Sequence, residues 1–117
     1  MKILLLEDNI LFAESLIENL NHFGHHVDWT VSVGDAQKIF DRGGFDLVIS
    51  DLHLKVINDD KGSGLDLIDY VRKRDQHVGL VATTGLGLVQ KESVLQHGVD
   101  LFYYKPINSK EFIRDIA

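Results

Sequence analysis

Acidic residues stand at the ends of two apolar runs in this chain. Val48-Ile49-Ser50-Asp51-Leu52 is a β-branched stretch that delivers one carboxylate to the tip of what reads as a buried strand. Ile3-Leu4-Leu5-Leu6 does the same and ends in Glu7-Asp8. If the two strands are parallel neighbours, Glu7, Asp8 and Asp51 converge on one carboxyl edge. Two carboxylates about 4 Å apart repel by roughly 4 kcal/mol at an effective dielectric of ~20, so such a cluster needs a cation or a raised pKa. Oxygen ligands alone favour a hard ion, magnesium above all. Thr83 closes a later strand with a hydroxyl donor, and Lys105 closes another with a positive charge. Phosphoryl transfer depends mainly on positioning and electrostatics, and a carboxylate can itself be the nucleophile that forms an acyl phosphate. Asp51, the lone acid at the tip of its strand, is the candidate.

The elements that must position these residues alternate along the chain. A strand over 2–6 leads into a helix over 10–23, with Ile10, Leu11, Leu16, Ile17, Leu20 and Phe23 on one stripe and Glu14 and Glu18 opposite. Gly24 stops that helix. Residues 27–33 alternate as a second strand carrying Trp29, and a helix over about 34–42 buries Ala36, Ile39 and Phe40 before Gly43-Gly44. The central strand is 46–50. Residues 52–63 form a polar connection, longer than the ~2–6 residues usual between strand and helix, which points to function or mobility. Ser63 and Asp66 form a capping box for a helix over 64–74. The fourth strand is 78–83; Gly85 and Gly87 delay the fourth helix until about 88, and Gly98 ends it. After a fifth strand over 100–104, Asn108 and Glu111 open a last helix with Phe112, Ile113 and Ile116 inward. Five βα units with near-continuous apolar strands predict an α/β, doubly wound, five-stranded parallel sheet of order 2-1-3-4-5 with helices on both faces. Ligands of such sheets sit at the carboxyl ends of the strands, at the switch point between strands one and three. Asp8 and Asp51 fall there.

The 117 residues make one domain, 1–117, and a hydrophobic fraction of 44% is ordinary for a globular core. The absence of cysteine excludes disulfides and thiolate metal sites. The chain enters its first strand directly after Met1-Lys2, leaving no room for a signal peptide, and no apolar run approaches the ~20 residues of a membrane span. A net charge of −6 argues against this domain gripping a nucleic acid backbone. The expectation is a cytoplasmic domain with no direct membrane or nucleic acid contact. His22, His25 and His26 read as surface residues on the edge opposite the acids.

Glu7-Asp8, Asp51, Thr83-Thr84, Phe102 and Lys105-Pro106, each at a successive strand end, together resemble the receiver domain of two-component response regulators, with its flavodoxin-like topology, over the whole chain. The resemblance implies that Asp51 accepts a phosphoryl group from the phosphohistidine of a sensor histidine kinase. It implies that Glu7, Asp8, Asp51 and the backbone carbonyl of His53 hold magnesium. Thr83 would hydrogen-bond the phosphoryl oxygens and Lys105 would pair with them, while Thr83 and the rotating aromatic Phe102 form the switch. The Lys105-Pro106 bond would be cis. Transfer to Asp51 and slow hydrolysis would be autocatalytic, the work of a regulatory domain rather than a metabolic enzyme. The face made by the fourth helix, fifth strand and fifth helix would change its population, serve as a homodimer surface and control an output. That output is expected to be transcription, through a DNA-binding domain absent from this chain; the short last helix, ending at Ala117, points the same way.

Some positions depart from the family pattern. Lys55 replaces a proline, the connection before Gly64 is several residues longer, and Thr84 is bulkier than the usual small residue. Asp100 matches the dimer face of the winged-helix subfamily, whereas Asp115 stands where an arginine is expected. The alternative reading is a pseudo-receiver, an interaction module that signals without phosphate; the retained Glu7, Asp8, Asp51, Thr83 and Lys105 argue against it. A flavodoxin-like cofactor carrier is rejected, because Glu7-Asp8-Asn9 would repel a phosphate where such carriers need donors. Trp29, on a different strand from Asp51, is expected to be a poor reporter of the site.

Overall fold

The computed structural model describes residues 1–53, 63–85 and 91–117. In chain order the elements are β1 (Lys2–Leu6), α1 (Ile10–His22), β2 (His26–Thr30), α2 (Val33–Asp41), β3 (Leu47–Asp51), α3 (Gly64–Arg74), β4 (Gly79–Thr84), α4 (Lys91–Leu95), β5 (Leu101–Tyr104) and α5 (Ser109–Ile116). The strands are all parallel, in the expected order β2-β1-β3-β4-β5. Successive residues of a strand point to opposite faces, so Ile3 and Leu5 join one core while Leu4 and Leu6 join the other. Ala13, Leu16 and Leu20 of α1 and Phe112 of α5 close the first core; α2, α3 and α4 close the second through residues such as Phe40, Leu67, Ile68 and Val94. Burial on both sides is why the central strands read as unbroken apolar runs.

Several boundaries differ from expectation, each for a local reason. The buried stripe of α1 is Ala13, Leu16 and Leu20, with Phe12 and Ile17 packed beside it, whereas Ile10, Leu11 and Phe23 are exposed. Ile10 and Leu11 occupy the first turn, which begins past the carboxyl end of β1, and Phe23 is already the C-cap. β2 stops at Thr30 rather than continuing to Val33, because the Ser32 hydroxyl accepts from Asp35 N–H at 3.3 Å and so starts α2. β-branched Val31 and Val33 mimic a strand period, but the cap decides the conformation. β3 and β4 each run one residue further than expected, to Asp51 and Thr84, and both begin one residue later. β5 begins at Leu101, and Asp100 is left to make side-chain contacts.

The α3 capping box is present, with Ser63 N–H donating to Asp66 Oδ2 at 2.6 Å. Asn108 Oδ1 accepts from Glu111 N–H at 3.1 Å at the start of α5. Gly24, Gly43, Gly44 and Gly98 all take positive φ at helix ends, the conformation glycine reaches without strain. The interior of the 52–63 connection, Lys55 included, and the expected helix start near 88 lie outside the described residues. Among the described residues, no helix is long and apolar enough to cross a membrane.

Candidate functional site

Three strand ends build the site. β1 and β3 pair in register up to Leu6 opposite Ser50, which sets Glu7 beside Asp51 at the carboxyl edge. β4 continues the sheet with Thr83 paired to Asp51. Ligand oxygens of Glu7, Asp8 and Asp51 lie within 4.8 Å of one another, the one cluster of three potential metal ligands among the described residues. Glu7 and Asp51 are buried, and Asp8 is half-buried.

The local chain geometry is fixed closely. Asn9 caps α1 by accepting from Phe12 N–H at 3.1 Å, and its own N–H donates to Glu7 Oε2 at 3.0 Å. His53 N–H donates to Asp51 Oδ1 at 3.0 Å, folding the chain back around the carboxylate just after β3 ends. From below, the Ser50 hydroxyl donates to the Gly64 carbonyl at 2.8 Å. A Cβ on Gly64 would stand 1.9 Å from the Asp51 carbonyl oxygen, so only glycine lets the start of α3 press against the end of β3.

Lys105 follows β5 and reaches back across β4. Its ammonium pairs with Glu7 Oε1 and lies 3.2 Å from Asp51 Oδ2, while resting 4.6 Å above the centre of the Phe12 ring. The Lys105-Pro106 bond is cis. Apart from that ammonium, Glu7 Oε1 has no hydrogen-bond donor among the described residues. Burial pushes the Glu7 carboxyl up to about 7; Lys105 and Asn9 N–H pull it down, and the neighbouring Asp51 adds to the rise. One ammonium shared by two buried carboxylates leaves negative charge in place, with Asp8 adding more at the rim. An all-oxygen donor set with surplus negative charge fits a hard divalent cation such as magnesium.

Not every residue expected at the site sits at its centre. Thr83 is buried beside Asp51, its carbonyl accepting from Leu52 N–H at 2.8 Å. Phe102 lies on the next strand, paired to Ala82, half-buried and edge-to-face with Tyr104 at 5.0 Å. Thr84 ends β4 fully buried. On the opposite edge, His25 Nδ1 lies 2.9 Å from the N-terminal amine and His26 pairs with Asp28, so the histidines form no three-ligand group among the described residues. Asp100 accepts from Leu80 N–H at 2.9 Å and from Arg72 at 3.1 Å, and Asp115 accepts from Tyr103 O–H at 2.6 Å. Both acids of the expected dimer face thus have partners within the chain.

Four features of the site lie outside the expectations set out above. Phe12 under Lys105 and the complete burial of Glu7 depend on the tertiary fold and leave no mark in the pattern. Asn9 was legible, being a capping residue just before an apolar stripe. The fourth is Trp29, whose indole N–H donates to the Glu7 carbonyl oxygen at 2.8 Å. A residue expected to stand apart from the site touches its backbone, because β2 is the strand next to β1.

Comparison with known proteins places this geometry. The chain is 34% identical over 112 residues to the virulence transcriptional regulatory protein PhoP of Salmonella choleraesuis, covering 95% of this chain and 48% of that protein. It is 29% identical over 114 residues to the swarming motility regulation protein RssB of Serratia marcescens, covering 97% of this chain and 50% of that one. The chain thus spans about half the length of the curated relatives it matches. A response regulator from Burkholderia pseudomallei, crystallised with a phosphorylated aspartic acid, a calcium ion and citrate, has the same fold at a TM-score of 0.84 and 24% identity, over 99% of this chain and 66% of that one. The family profile of the response regulator receiver domain matches residues 3–117. The chain belongs to that family, the receiver domains of two-component response regulators.

Proposed function

We propose that this domain is a phosphorylation switch in which Asp51 takes a phosphoryl group from the phosphohistidine of a sensor histidine kinase. The observation that carries the reading is the meeting of Glu7, Asp8 and Asp51 with the Lys105 ammonium at one sheet edge. Asp51 Oδ attacks phosphorus, the bond from phosphorus to the kinase imidazole nitrogen breaks, and an acyl phosphate forms; water later hydrolyses it and restores the carboxylate. Lys105 pairs with the phosphoryl oxygens, and the Thr83 hydroxyl donates to them. Glu7, Asp8, Asp51 and the His53 carbonyl hold magnesium, which when bound offsets the charge of the incoming phosphoryl oxygens. The Burkholderia relative, with its phosphorylated aspartate and calcium ion, supports the same chemistry here.

Thr83 and Phe102 form the switch that passes the modification to the face of α4, β5 and α5, where Leu95 and Tyr104 are exposed. That face carries the output and any homodimer contact. One relative named above is a transcriptional regulatory protein, which supports transcription as the output, through a DNA-binding domain outside this chain and in the cytoplasm.

The test is an intact-mass measurement after incubation with acetyl phosphate and magnesium, beside Asp51→Asn. One phosphoryl increment, dependent on magnesium and absent from the variant, is the expected result. No increment, together with failure to bind beryllofluoride, would leave the domain as an interaction module that works without phosphate.

A further inference from the structure

Trp29 is the chain's single tryptophan and contributes no ligand to the acid cluster. Its indole N–H nevertheless donates to the Glu7 carbonyl oxygen at 2.8 Å. That oxygen belongs to the peptide unit joining the two acids, and a peptide unit is planar. Holding the Glu7 carbonyl therefore also holds the Asp8 N–H and the position of the Asp8 Cα, from which its side chain departs. The other side of Glu7 is fixed from the same strand, since Glu7 N–H donates to the Thr30 carbonyl at 3.1 Å. Pairing of β1 with β2 ends at Leu6 and Thr30, so the indole supplies a donor where the ladder has run out.

This matters because the acids repel. Without a tether, the Glu7–Asp8 peptide could rotate and separate the carboxylates, and the cluster would have to be reassembled whenever a cation arrived. We propose that Trp29 is a positioning residue for the cation site: its indole N–H holds the Glu7–Asp8 peptide in the orientation that brings both carboxylates to Asp51. Its emission consequently reports cation binding. The inference rests on reading the acids as a cation site, and not on phosphoryl transfer.

Two replacements remove the donor: Trp29→Phe, and benzothienylalanine at position 29, which keeps the shape of the indole and exchanges N–H for sulfur. Calorimetric titration with magnesium chloride, without any phosphoryl donor, should show affinity weakened about three- to tenfold in both, the equivalent of one hydrogen bond. Circular dichroism should remain native. In the unmodified chain, Trp29 emission should change saturably along the same titration, and Asp8→Asn should remove that response. Unchanged affinity in the sulfur analogue, or flat emission where calorimetry detects binding, would overturn the inference. So would a native chain that binds no magnesium. A chain that binds magnesium through this tether and takes no phosphoryl group would defeat the function proposed above and leave the role of Trp29 standing.

Discussion

Lys105 Nζ lies 3.2 Å from Asp51 Oδ2 although their strands are not neighbours, since β4 runs between β3 and β5. The same ammonium pairs with Glu7 at the end of β1, so one cation links three of the five strands. Above about pH 7, where Glu7 is ionised, it cannot neutralise both carboxylates. The fold thereby keeps a charge imbalance at the sheet edge, and the energetics of the domain without cation should show it.

Removing one acid should relieve the imbalance. In the presence of a chelator, Asp51→Asn should raise stability by on the order of 1 kcal/mol, what remains of a carboxylate repulsion of roughly 4 kcal/mol once the Lys105 pairing to Asp51 is lost. Urea unfolding with EDTA measures it. A clear loss of stability would mean that Lys105 already satisfies the cluster.

Removing the cationic partner should do the reverse. Lys105→Met should cost about 3–5 kcal/mol in chelator, the usual result of leaving buried charge uncompensated. Magnesium at about a hundred times its Kd should return up to ~2.7 kcal/mol, provided the acids still bind it. Thermal melts with and without magnesium test both halves, and an equal loss in the two conditions would contradict a shared electrostatic site.

The pH dependence follows from Glu7. Its carboxyl rises from the ordinary 4.5 to about 7 in the folded chain, chiefly through burial. Between those values the folded state holds a proton that the unfolded state has released, so this group makes stability fall as pH rises through that window. Below the window both states are protonated, and above it both are ionised. Glu7→Gln should flatten the slope, and magnesium, by favouring the ionised form, should reduce it in the parent chain. Urea midpoints at about pH 5 and about pH 8 decide the matter; a slope of the opposite sign in chelator would show that Lys105 outweighs burial.

Gly64 should tolerate no side chain. An added Cβ would lie 1.9 Å from the Asp51 carbonyl oxygen and 2.8 Å from the Ser50 hydroxyl, both belonging to the central strand. Gly64→Ala should cost more than ~3 kcal/mol or abolish folding, because backbone cannot yield as a flexible side chain does. A native melting temperature in the variant would refute this.

Much of this architecture was legible because strand order and site share one cause. Apolar runs buried on both faces give a parallel sheet, and the acids ending those runs must then meet at its carboxyl edge. What the sequence concealed lies where two local signals compete. Val31 and Val33 alternate like a strand, yet Ser32 caps a helix between them. Ile10 and Leu11 look like core residues, but their turn stands beyond the sheet and leaves them exposed. Contacts across strands are hidden altogether. Nothing near Trp29 in sequence points to Glu7, and only the pairing of β1 with β2 brings them together.

The proposed switch depends on Asp51 being the residue that carries the phosphoryl group. Borohydride reduces an aspartyl phosphate to homoserine and leaves free carboxylates untouched. After reaction with a phosphorylated histidine kinase and magnesium, reduction and peptide mapping should place homoserine at position 51 and at no other acid. Homoserine at Asp8 or 2-amino-5-hydroxypentanoic acid at Glu7 instead, or no reduced residue while the kinase still loses its phosphoryl group to this chain, would rule out Asp51 as the phosphoacceptor.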